Sequence, residues 1–181
     1  GVKAFWRTPE WDLDAFWVRP MITEKGNVDN WDTQQNFFGL WATHKPKPGH
    51  LIDLYFLSLE NDRNLSTANV LRANILQGNS HVHTLGARLA GNFDNLLYEL
   101  EGMYQFGQRS NLDISAFAVA TGVGYRLPMP MNPQAWIRYD FASGDSRSND
   151  GRSNTSNQLF PFGHYYMGFL DRVGRQNIHD I

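Results

Sequence analysis

Residues 97–107 read LYELEGMYQFG and set Glu99 and Glu101 two positions apart inside a run of large apolar residues. On a strand such a pair shares a face, with backbone positions roughly 6–7 Å apart. Two carboxyl groups about 5–9.5 Å apart can serve glycoside hydrolysis. Asp12 and Asp14 repeat the spacing, and any strand with alternating acids has it, so it assigns no catalysis by itself. His81 and His83 form an H-x-H that would need two further ligands to hold zinc; a strand-end pair of histidines is the expected reading. In DSRSNDGRSN (145–154) glycine falls at the seventh position and Ser156 at the twelfth. An EF-hand needs glycine at the sixth and a bidentate glutamate at the twelfth. The stretch ATGVGYR (120–126) is followed by no helix and so cradles no phosphate. Its small residues make room for bulky neighbours or for a loop packed against them. No catalytic residue, metal site or cofactor is expected.

The elements that hold these residues are strands. Helical periodicity is nearly absent, and period-two alternation recurs between breaks rich in Gly, Pro, Asn and Asp. Strands are predicted near 2–7, 11–20, 34–44, 50–60, 81–92, 95–107, 113–127 and 134–143, with one short helix allowed at 65–77. Leu96, Tyr98, Leu100, Tyr104 and Phe106 share one face, and Glu99, Glu101, Met103 and Gln105 the other. Phe117, Val119, Val123 and Tyr125 oppose Ala116, Ala118, Ala120, Gly122 and Gly124, a row that ends at Arg126. Ile137, Tyr139 and Phe141 oppose Trp136, Arg138 and Asp140; Leu85, Ala87 and Leu89 oppose Thr84, Gly86 and Arg88.

The 181 residues fit one domain. A formal charge of −2 gives no bulk attraction to nucleic acid. The absence of cysteine excludes disulfides and thiolate-ligated metals. No apolar run is long enough for a membrane helix. The chain opens at GVKAFWR without a basic-then-apolar leader, as expected of an internal piece or of a chain whose signal peptide has been removed. Charged residues are only 19% while aromatics reach 14%, a heavy load of large rings for this length.

Alternation alone does not name the solvent, since a half-buried soluble sheet shows it too. Two features favour a membrane. Tyr and Trp cluster near the ends of the apolar faces, as in interfacial girdles. The strands also approach the roughly ten residues that a tilted strand needs to cross a bilayer. The other reading is a soluble β-sandwich, a carbohydrate-binding module using the same aromatics.

AWIRYDFASGD (135–145), followed by NQLFPFGHYYMGFLDRVGRQNI (157–178), resembles the C-terminal half of the alginate-export family of bacterial outer-membrane porins. WDLDAFWVRP (11–20), TQQNFFGLWATH (33–44), LIDLYFLSLEND (51–62) and TLGARLAG (84–91) resemble earlier strands of that family, in order. The resemblance implies an all-β, antiparallel up-and-down transmembrane barrel, of which residues 1–181 carry about eight to nine strands, from the middle toward the C-terminus. It implies a bacterial outer-membrane location, a bilayer around the wall and a monomeric complete barrel. It further implies passive passage of an anionic, alginate-like polysaccharide or of small solutes.

A channel takes its ion preference from the charges lining it. The pore-lining candidates are Arg88, Arg126 and Arg138 together with Asp12, Asp14, Glu99, Glu101 and Asp140. Guanidinium groups match carboxylates bidentately and suit a uronate polymer, but the acids here are at least as numerous. Either they pair with the arginines across strands or they repel such a solute. The long segment 144–169 is expected to fold over or into the pore, with Phe160, Phe162, Tyr165 and Tyr166 as constriction candidates.

Overall fold

The computed structural model describes residues 1–22, 26, 30–62, 79–147 and 150–159, and the backbone of 178–180. The allowed helix at 65–77 and the four aromatic constriction candidates lie outside these residues.

The main strands are β1 (Val2–Arg7), β2 (Trp11–Val18), β5 (Gln35–Lys47), β6 (His50–Asn61), β7 (Ser80–Phe93), β8 (Leu96–Arg109), β9 (Leu112–Arg126) and β10 (Gln134–Ala142). Short pieces are β3 (Met21–Ile22), β4 (Asn30–Trp31), β11 (Arg152–Ser153) and β12 (Ile178–Asp180). They form one sheet in the order β1-β2-β5-β6-β7-β8-β9-β10-β12, each antiparallel to its neighbour, while β3 pairs β4 apart from it. This is an up-and-down meander, as expected. Strands next to each other in the chain are neighbours in the sheet, so no connection has to cross another.

One end of the sheet carries tight turns at 8–10, 48–49 and 94–95. Pro48 presets the first turn angle and Gly49, at φ 79°, supplies the left-handed second one. Asp94, at φ 50°, does the same between β7 and β8, a conformation that Asp and Asn tolerate. Longer connections leave the opposite end after β2, β6 and β10. The KPKPG break predicted from residue 45 shrinks to this turn, because β5 continues through Pro46 by shifting register between His44 and Lys47. Proline has no N–H for the ladder and is accommodated at such an irregularity.

The predicted faces agree with the observed register. Leu54, Leu85, Leu89, Leu100, Val123 and Ile137 all stand exposed on one side. Toward the turns this band ends in Phe93, Tyr98 and Tyr125, and toward the loops in Trp17, Phe106 and Phe117. From Phe93 to His83 a strand advances roughly 34 Å, which at a tilt near 40° covers about 26 Å of height, the span of a bilayer's apolar core. Beyond it come Asn36, Glu60, His81 and Gln108. Among the described residues no second sheet covers the apolar face, so the sandwich reading is not favoured.

The buried cluster is small and lies on the other, polar side. Leu59, Val82 and Ile114 meet there, with Phe37 and Leu159 packed against them.

Leu100 sits near the middle of the apolar band, and Ala120 on the polar side between Glu101 and Asp140. Leu100→Arg is expected to cost about 2–4 kcal/mol in unfolding from lipid. Ala120→Arg, which meets carboxylates instead of acyl chains, is expected to stay within about 0.5 kcal/mol of the parent.

Candidate functional site

The polar face is organised by one register row that crosses the sheet. Arg7 faces Asp12, then come Thr43, Asp53, Arg88, Glu101, Ala120 and Asp140, each opposite the next. With the flanking rows, the sign of charge alternates from strand to strand. Lys3 and Arg7 stand on β1, Asp12 and Asp14 on β2, Lys45 on β5, Asp53 on β6, Arg88 on β7, and Glu99 and Glu101 on β8. On β9 only small side chains fill these levels, and Arg138 follows on β10.

Each acid is met by cations or donors. Asp14 accepts from Arg7 at 2.7 Å and lies 2.8 Å from Lys3. Lys45 Nζ donates to Asp12 at 2.7 Å. Asp53 accepts from Thr43 at 2.5 Å and from Arg88 at 3.1 Å. Arg88 binds Glu99 through Nε at 2.8 Å and Nη2 at 2.6 Å, a two-pronged contact on Oε1. Arg138 takes the other oxygen of Glu99 at 3.0 Å. Tyr55 donates to Glu101 at 2.6 Å.

Two of these contacts pass over an intervening strand, and the first needs a missing side chain there. Tyr55 on β6 reaches Glu101 on β8 by lying over Gly86 of β7, where a Cβ would come within 2.2 Å of its ring. Arg138 on β10 reaches Glu99 on β8 over Gly122 of β9. Trp136 lies on Gly124, whose Cβ would meet the indole at 2.6 Å, and the Arg138 guanidinium sits 4.6 Å from that ring's centre. The small residues of ATGVGYR therefore make room for bulky neighbours, as their pattern predicts.

Of the sequence candidates, Asp12, Asp14, Arg88, Glu99 and Arg138 enter ion pairs and Glu101 a hydrogen bond. Asp140 shares the row beyond Ala120. Arg126, half-buried at the strand end, makes no ion pair among the described residues. Glu99 is clasped by two arginines and Glu101 by a tyrosine, so the pair is not set up as a free acid and base. His81 and His83 share the apolar side at the loop end, where His83 Nδ1 lies 2.9 Å from Ser58 Oγ.

Sequence reasoning missed Asp53, Tyr55 and Lys45. In LIDLYFLSLEN both faces are largely apolar, so alternation gives Asp53 no side. Lys45 lies past the residue where the strand was expected to end. Only pairing with Arg88 and Asp12 assigns them.

A long meander with an exposed apolar face and an ion-paired polar one is the wall of a transmembrane β-barrel channel. The family model described as alginate export matches residues 1–181, and the chain belongs to that family of outer-membrane polysaccharide export channels. No curated protein and no solved structure matches it.

Asp53 is almost wholly buried, whereas Glu99 and Arg138 keep part of their surface in water. Arg88→Met, which strands Asp53, is expected to lower stability by about 3–5 kcal/mol. Arg138→Met is expected to cost about 1 kcal/mol or less. Urea unfolding of the two variants from lipid vesicles measures the difference.

Proposed function

We propose that this chain is part of the wall of a bacterial outer-membrane channel that passes an anionic, alginate-like polysaccharide, or smaller anions, by diffusion. The observation that carries the reading is an asymmetry within the ion pairs. Their cations keep 29–58% of side-chain surface exposed, and their acids only 4–24%. Carboxylates lie against the wall and the ammonium and guanidinium groups stand over them. The surface offered to a solute is basic although the formal charges nearly balance. Arg88, Arg126, Arg138, Asp12, Asp14, Glu99, Glu101 and Asp140 are read as pore-lining, the arginines meeting solute and the acids fixing their direction. Fixed cationic fields of this kind favour anions.

The barrel is larger than the strands described. Among the described residues β1 pairs only with β2, so the path from β1 to β12 stays open. A wall of so few strands would also close around a lumen filled by its own side chains. Further strands therefore complete the proposed channel, which acts as one monomeric barrel without enzymatic turnover.

In planar bilayers under a KCl gradient, the full-length channel is expected to give a reversal potential of the sign for anion preference. Lys3→Glu with Lys45→Glu, which reverses the exposed partners of Asp14 and Asp12, is expected to move that potential toward cations. Asp12→Asn should move it far less. Cation preference in the parent protein would refute this reading.

A further inference from the structure

After β10, residues 152–159 lie on the wall. Arg152 and Ser153 pair in parallel with Asp113 and Ile114, taking the edge of β9 that β10 has vacated beyond Ala142. Ser143 ties the segment down twice: its Oγ donates to the Asn154 carbonyl at 2.7 Å, and its own carbonyl accepts from Ser156 N–H at 2.9 Å. The chain then turns onto the polar face and crosses toward β8. There Gln105, fully buried, grips one residue by its backbone. Its Nε2 donates to the Asn157 carbonyl at 2.7 Å and its Oε1 accepts from the Asn157 N–H at 2.6 Å. Thr84 Oγ1 holds the same amide at 3.1 Å. Two residues on, Leu159 packs against the cluster of Leu59, Val82 and Ile114, on β6, β7 and β9 to either side of β8.

We infer that residues 152–159 are a fixed strap narrowing the lumen on the loop side of the charged row, and that Gln105 is the positioning residue that holds it. The inference rests on the channel reading. The strap lies on the polar face because every anchor named above is on that face or at the free edge of β9. It sits roughly 14 Å along the strands from Arg88, counted from Thr84 at about 3.4 Å per residue. The latch depends on an amide having one donor and one acceptor in the geometry of a peptide group. A primary amide satisfies both buried backbone groups of Asn157, and a side chain lacking either leaves one unpaired in a site closed to water. A glutamate at 105 would accept from the Asn157 N–H but, when ionised, present a second acceptor to its carbonyl. Protonation restores the donor.

The test is single-channel recording of the full-length protein in planar bilayers, with exclusion of neutral polyethylene glycols as a gauge of bore. Gln105→Ala is expected to raise unitary conductance and admit larger glycols than the parent. Gln105→Glu is expected to do the same at neutral pH and to return to the parental conductance when acidified far enough to protonate the buried carboxyl. The parent protein should show no such reversal. A side chain that merely stabilises the barrel would not make the bore switch with pH. If both variants, folded by their heat-modifiable mobility, keep the parental conductance, glycol cutoff and pH profile, the strap is not a constriction. Absence of any conductance in the folded parent would instead remove the channel reading beneath it.

Discussion

The row from Arg7 to Asp140 depends on strand register, and so does everything else in this wall. Side chains alternate faces with every residue, so a slip of one position would send Arg88 and Glu101 into lipid and Leu89 and Leu100 into the lumen. Both errors are costly in the same direction. The ion pairs and the apolar band therefore specify one register together, each excluding the slips that would spoil the other.

Charge alternation by strand also resolves a conflict of composition. A wall with this many acids would repel an anionic polymer if they faced it alone. Burying Asp12, Asp14, Asp53 and Glu99 beneath cations from other strands converts them into supports. Asp53 and Glu99 between them hold Arg88, and Glu99 holds Arg138 as well. A guanidinium fixed in direction loses less freedom on meeting a solute than one swinging on a free side chain. The glycines at 86 and 124 belong to the same design, because a Cβ at either would overlap the Tyr55 ring or the Trp136 indole laid across it.

The two halves of the polar face have different chemistry. Toward the turns it is ionic; toward the loops, where residues 152–159 are laid, the contacts are apolar and amide. Ala116, fully buried, and Gln105, directly opposite it, belong to this second half. The row of small residues on β9 thus serves a passing Trp and Arg at one end, and opens space toward the strap at the other.

Much of this was legible in the chain. Period-two alternation gave the eight main strands and, for those from β7 to β10, their faces, because a wall between lipid and water must repeat every second residue. The breaks gave the turns, since Pro48 presets its turn angle and Gly49 and Asp94 adopt left-handed angles that few other residues accept. RYDFASGD with NQLFPFGH pointed to the family. The sequence could not say which acid meets which base, as partners such as Arg88 and Glu99 are joined by register and by a diagonal reach. It could not place Asp53, whose strand is apolar on both faces, nor show that Gln105 closes on Asn157, a residue more than fifty positions away. Local pattern fixes what a strand presents to each side. Only the assembled sheet decides what stands across from it, because pairing is a property of two segments at once.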